Sequence, residues 1–172
     1  MVNTWIKTYN GKRFDVLNPN PDLIDIEDIA HALSNQCRYG GHSRKFYSVA
    51  EHSIHVSNLC ILSSSKLGGL LHDASEAYLV DIPRPIKHSS FLLGYRDLER
   101  RVQDAINLKF NVTIYPEVKH WDNQILRDEV YQLMNDPEDY GFEKPNLMYA
   151  VACWSPREAK EKFLARFNKL RS

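Results

Sequence analysis

Residues 67–87, LGGLLHDASEAYLVDIPRPIK, constrain this chain more than any other stretch. Within them, His72, Asp73, Glu76 and Asp81 fall close together on or just after a run of good helix formers, residues 70–79. On a period of about 3.6 residues, His72 and Glu76 lie one turn apart with Asp73 beside them. Leu70, Leu71, Ala74, Ala77 and Leu79 surround these polar groups, so the helix that carries them is expected to be largely buried. An imidazole and two carboxylates are costly to bury unless something satisfies them. Other elements must therefore fold against this helix and bring partners with them. A divalent cation is one such partner, since His and Asp both ligate such ions. A solvated face with a local His–Asp pair is the other reading. Gly68 and Gly69 would let a second element come close.

The rest of the chain reads as helices around that stretch. Asn10-Gly11, between β-prone residues 4–9 and 13–17, predicts a hairpin with a two-residue turn. Asp25 can cap a helix carrying Ile26, Ile29, Ala30 and Leu33 at helical spacing. Ser48 and Glu51 form a capping-box pattern that opens a second helix. Its apolar stripe, Val49, Val56 and Leu59, also contains His52, while His55 shares the face or reaches solvent. Residues 63–65 read as a polar turn, and Pro83 and Pro85 as stops that hold Arg84 and Lys87 in an extended segment. Residues 91–110 form an amphipathic helix, and Pro116 opens another over residues 117–134. There Asp122 sits in line with Val118 and Ile125, where an unpaired carboxylate would be expensive. Residues 135–146 are a polar loop and residues 147–154 are apolar and irregular. Ser155, Pro156 and Glu158 then start a last helix with Ala159, Phe163, Phe167 and Leu170 inward. The expected fold is all-α, a helical bundle of about six helices with a minor N-terminal hairpin, in one domain over residues 1–172.

Composition narrows the function classes. The formal net charge is zero, which gives no general attraction to nucleic acid polymers or anionic membranes. No apolar run is long enough to span a bilayer, and the N-terminus has no signal-peptide core. Three cysteines without CxxC spacing fit a reducing cytoplasm.

His52, the His72–Asp73 pair and Asp122 are thus polar groups at buried positions of three separate helices. Facing helices of bundles commonly build metal sites from such residues. Mixed imidazole and carboxylate ligands suit Mn, Fe, Co, Ni or Zn, with Mg as an alternative. Glu76 is placed to move a proton. The loop at residues 34–47 carries Arg38, Tyr39, His42, Arg44 and Lys45, a mixture that can bind an anion beside a flat ring or simply form a basic surface.

The pattern H…HD…D, with the HD pair on a central helix, resembles the HD-domain metal-dependent phosphohydrolases. Residues 49–53 (VAEHS), 71–78 (LHDASEAY) and 81–87 (DIPRPIK) are similar to the small branch of 5′-deoxynucleotidases, prophage phosphohydrolases and phage dATP triphosphohydrolases. The hairpin, the CRYGGH loop and the C-terminal RFNKL extend the likeness over nearly the whole chain. The resemblance implies His52, His72, Asp73 and Asp122 as metal ligands, with Asp128 as rival to Asp122. It implies Glu76 as general acid/base, and Asp81 as a residue that orients water or helps a second ion. Arg38 matches a substrate-contacting arginine, and Tyr39 stands where the deoxynucleotidases tend to have a tryptophan near the sugar. Arg38, Tyr39, His42, Lys45, Arg84 and Lys87 are the expected substrate contacts.

The expected function is hydrolysis of a (deoxy)nucleotide, with loss of 5′-phosphate or triphosphate through a metal-activated water. Purine deoxynucleotides such as dAMP or dATP are favoured by stacking on Tyr39, Phe46 or Tyr47. The family implies a homo-oligomer, a dimer or a hexamer. Two other readings stand beside it: a non-catalytic nucleotide-binding module, and a di-iron oxygenase drawing on His42, His55 or His88.

Overall fold

Asp25 accepts a hydrogen bond from the Glu27 amide and starts helix α1 (Ile26–Asn35), as its capping chemistry predicts. The computed structural model describes residues 4–143 and 149–172. Before α1 lies the hairpin, β1 (Trp5–Lys7) paired antiparallel with β2 (Arg13–Asp15), with Ile6 opposite Phe14. Its turn is not the expected two-residue one. The Gly11 amide donates to the Thr8 carbonyl, the Thr8 amide donates to Lys12, and Gly11 alone of the Asn-Gly pair has positive φ, +77°. This is the longer hairpin loop in which a glycine bulge follows the turn. Phe14 points inward and stacks on Tyr78.

Among the described residues, five longer helices and two short helical turns, α4 and α5, follow: α2 (Val49–Leu59), α3 (Ser63–Leu71), α4 (Glu76–Leu79), α5 (Arg84–Lys87), α6 (Leu93–Phe110), α7 (Pro116–Leu133) and α8 (Pro156–Arg171). The protein is mostly helical, as expected. The main core gathers Ile29, Leu33, Val49, Leu70, Leu71, Val102, Ile106 and Phe163 from α1, α2, α3, α6 and α8. A smaller cluster, Val56, Cys60, Val118 and Ile125, fastens α7 to α2.

Three local expectations are corrected. Residues 63–65 are the first turn of α3 and not a free turn. Residues 84–87 are a helical turn and not an extended segment, because a proline is tolerated within a first helical turn. The Ile86 and Lys87 amides both donate to the Pro83 carbonyl to close it. The central helix is also not continuous over residues 70–79. It ends at Leu71, and residues 72–75 form a tighter turn before α4. There the Ala74, Glu76, Ala77 and Tyr78 amides each donate to the carbonyl three residues back.

The expected contact at the paired glycines is present. A Cβ on Gly69 would stand 3.0 Å from the Ser57 Cα and the Cys60 Sγ, and one on Gly68 would stand 2.8 Å from the Thr113 carbonyl oxygen. Only hydrogen at Gly69 lets α3 lie this close to α2, and only hydrogen at Gly68 admits the Thr113 carbonyl. That approach carries the residue after α3, His72, up to His52 on α2. The irregular segment that precedes α8 is pinned by Glu51. Its side chain does not close the capping box; it accepts from the Ala152, Cys153 and Trp154 amides. The first part of the loop expected over residues 135–146 includes a short turn at Pro137–Tyr140, and residues 149–154 are irregular. The expectations for residues 144–148 lie outside the described residues.

Candidate metal centre

Ser48 accepts from the Glu51 amide at 3.1 Å and so sets the start of α2. From that start, His52 falls one turn in and is fully buried. His72 follows the last residue of α3, and its Nδ1 donates to the Gly69 carbonyl at 2.8 Å. That bond turns Nε2 of His72 towards His52; the two ring centroids are 5.3 Å apart. Asp122 comes from α7, held between Val118 and Ile125, which pack on α2.

His52, His72 and Asp122 each offer one ligand atom, and these atoms lie within 4.8 Å of one another. His52 Nε2 is 3.2 Å from Asp122 Oδ1 and 3.6 Å from Asp73 Oδ2. His72 Nε2 is 3.2 Å from Asp73 Oδ2 and 4.0 Å from Asp122 Oδ1. Neither Nε2 has a hydrogen-bond partner, although both are buried. Two orphaned imidazole nitrogens facing two carboxylate oxygens fit a divalent cation, which would satisfy all four. His52, His72 and Asp122 form the group that could hold a metal ion, and Asp73 stands beside it against both imidazoles. Asp128 is not one of the three grouped residues: it is buried on the same helix, and its Oδ2 accepts from the Tyr149 amide at 3.3 Å.

The electrostatics agree with a cation site. Burial works against both carboxylates, yet His72 holds Asp73, and His52 holds Asp122, well below the usual carboxylate range. Burial and the Arg38 charge push His52 down, but Glu129 and Asp122 outweigh them and raise it to about 9. Without a metal the carboxylates thus keep a proton where a cation would sit. Lys119 and Arg84 donate to the other oxygen of Asp122, Oδ2, at 2.7 and 3.0 Å. Arg84, expected to contact substrate, is thereby tied to a ligand, with a second bond to Asn123 Oδ1.

Glu76 is buried beside this group. Burial, with Asp73 and Asp81 adding like charge, raises its carboxyl well above the ordinary value, and its Oε2 has no partner. Its Oε1 accepts from Lys87 Nζ at 3.3 Å, and Lys87 also pairs with Glu99 at 2.5 Å. Burial raises Asp81 too, with Arg38 opposing and Asp73 adding to it. Gln36 joins the two acids: its Nε2 donates to the Glu76 carbonyl and its Oε1 accepts from the Asp81 amide. Between them Val80 has φ +112°, a conformation that costs a β-branched residue roughly 1–3 kcal/mol.

The sequence reading missed Glu129, which is fully buried on α7. It accepts from His52 Nδ1 at 2.5 Å, Tyr47 Oη at 2.8 Å, Tyr39 Oη at 2.7 Å and Arg38 Nη2 at 3.3 Å. Burial opposes its charge, but Arg38 and His52 bring it down to about 2. The signal was present: Glu129 lies one helical turn beyond Ile125 on the stripe that holds Asp122. Arg38 reaches Asp73 as well, with Nη1 3.7 Å from Oδ2, and its Nε is buried without a partner.

The other expected contacts are further out. His42 and Lys45 are exposed, and the charge of Lys45 is felt at the Cys153 thiol. Arg44 donates to the Gln132 carbonyl at the end of α7. His88 is exposed, and His55 turns to Glu51 and the rings of Tyr149 and Trp154. The extra histidines of a di-iron centre are therefore not drawn from His55.

With the site in view, comparison with known proteins places the chain. It is similar to the uncharacterized protein YfdR of Escherichia coli, 35% identical over 173 residues, covering 97% of this chain and 96% of that protein. The chain belongs to the YfdR family. An uncharacterized protein of Rhodobacter capsulatus is 33% identical over 191 residues, covering 99% of this chain and 97% of its own. No protein-family model matches the sequence. The relatives establish kinship and bring no activity with them. Among the described residues no helix is long and apolar enough to cross a membrane.

Proposed function

We propose that this chain is a divalent-metal-dependent phosphohydrolase of the HD-domain type, acting on 5′-deoxynucleotides. The observation that carries the reading is the pair of bare imidazole nitrogens, His52 Nε2 and His72 Nε2, set against Asp73 and Asp122. An ion held there would supply Lewis-acid polarisation of a phosphoryl oxygen. Arg38 supports the substrate class, since its guanidinium places a fixed positive charge against the ligand Asp73, beside where a phosphate would sit. Burial raises the Glu76 carboxyl well above its ordinary value, which favours the proton that a general acid needs. Glu76 gives that proton to the oxygen leaving phosphorus as the P–O bond breaks, and regains one from the attacking water. Lys87 steadies Glu76 in its ionised form, and Asp81 accepts a hydrogen bond from the water. Atoms balance as ester plus water giving alcohol plus phosphate, or nucleoside plus triphosphate.

The phosphate count is set by cations outside the ligand set. For a β,γ tail, Arg84 and Lys119 stand beside the centre, on Asp122 Oδ2, whereas Arg44 lies at the Gln132 carbonyl. The test is a panel of deoxy- and ribonucleotide mono- and triphosphates with Mn, Co or Mg, and product analysis for phosphate or triphosphate. Release from dAMP or dATP is expected, abolished by chelation. Full activity after exhaustive chelation, or no turnover of any nucleotide with any ion, would sink the reading.

A further inference from the structure

Glu129 has no contact with water, so its charge is costly unless both oxygens are occupied. They are occupied as two separate pairs. Oε1 takes His52 Nδ1 and the Tyr47 hydroxyl, and Oε2 takes Arg38 Nη2 and the Tyr39 hydroxyl. His52 turns its other nitrogen to the metal centre, and Arg38 turns its other Nη to Asp73. One buried side chain thus touches a metal ligand through one oxygen and a flanking cation through the other.

We infer that Glu129 is a positioning residue that ties metal affinity to phosphate affinity, aiming the His52 lone pair through Oε1 and holding the Arg38 guanidinium through Oε2. The first half stands on geometry alone; the second rests on the phosphohydrolase reading. A carboxylate can only accept, so the Nδ1 beside it must carry hydrogen, and Nε2 is then the nitrogen free to bind a cation. On the other side, the hydroxyl bond to Glu129 anchors Tyr39 in the left-handed region, φ +58°, which a non-glycine residue visits only when held there. Arg38 is the preceding residue, so the same anchor sets where its side chain begins.

Glutamine at this position separates the idea from a packing role. It has the shape of glutamate but one oxygen and one amide nitrogen. With the nitrogen towards His52, Nδ1 must accept and Nε2 carries the hydrogen. With the nitrogen towards Arg38, two donors face each other. One coupling is lost either way.

The test is calorimetric titration of chelator-stripped protein with Mn or Co, plus KM and kcat for the best nucleotide at saturating metal. Glu129→Gln is expected to lose roughly 10–100-fold in metal affinity, or to raise KM by about tenfold with a smaller change in kcat. Tyr47→Phe removes a donor from the same carboxylate without touching His52 or Arg38, and should shift each quantity less than about threefold. If Glu129→Gln does not fold, Glu129→Asp is read the same way, because it keeps the charge and withdraws it by one methylene. Wild-type metal affinity together with wild-type KM in the folded variant overturns the inference, as does an equal loss in Tyr47→Phe. Glu129-dependent metal binding without nucleotide hydrolysis would refute the phosphohydrolase reading and leave the His52 half standing.

Discussion

His52 Nε2 stands 3.2 Å from Asp122 Oδ1, across the gap between α2 and α7. The two residues are far apart in sequence and meet because Val56 and Cys60 pack on Val118 and Ile125. Asp122→Ala should empty the metal site, whereas Asp128→Ala should leave the metal in place and loosen the segment at Tyr149, which its carboxylate binds. Metal stoichiometry by elemental analysis separates the two. Metal loss from Asp128→Ala alone would mean that the inward face of α7 has been misassigned.

Binding of the ion should stabilise the fold by mass action. At a hundredfold excess over Kd the gain is about 2.7 kcal/mol, or roughly 5–10 °C in Tm for a chain of this size. Differential scanning fluorimetry with and without chelator measures it. The ion displaces the His52 proton, whose release point is raised to about 9. Metal affinity should therefore fall as pH drops below that value, by up to one proton per ion from this group. A Tm indifferent to Mn, Co, Ni, Zn and Mg would count against the centre.

Glu76→Gln is expected to keep the metal and lose about two to four orders of magnitude in rate. It should also melt higher. Burial raises the Glu76 carboxyl, so the stability linked to its proton is present at low pH and is lost as pH rises through the folded value. Glutamine cannot ionise and escapes that loss. The gain in the metal-free variant should grow as pH rises above the ordinary carboxyl range and vanish below that range. A metal-free Glu76→Gln at saturating Mn would instead make Glu76 a ligand.

Gly69→Ala tests how the centre is assembled. The added methyl meets the Ser57 backbone at 3.0 Å, so α3 must move off α2. A destabilisation of about 1–3 kcal/mol is expected, along with weaker metal binding because His72 retreats from His52. Chemical denaturation and metal titration read the two effects. An unchanged metal affinity with the expected loss of stability would show that the His52–His72 spacing does not depend on this contact.

Much of this protein was legible one residue at a time. The Asp25, Ser48 and Ser155 caps and the apolar periodicity of α1, α6, α7 and α8 are local chemistry, and each element formed where that chemistry put it. His52 and Asp122 stood out because a polar group on an apolar stripe demands a partner. Local patterns mislead where two signals compete: the prolines around Arg84 predict an extended segment, yet proline is tolerated in a first helical turn and residues 84–87 close one. The break after Leu71 and the positive φ of Val80 are invisible to periodicity, because i→i+3 and i→i+4 turns place residues on nearly the same face. What each cation does was decided only by the tertiary structure. Arg38 and Tyr39 carry the same chemistry in any loop, and only the packing of α7 puts Glu129 between them and His52. A sequence shows which side chains need partners; the three-dimensional contacts assign them, because the pairs that build this centre, His52 with Asp122 and with Glu129 and Arg38 with Glu129, join residues from separate elements.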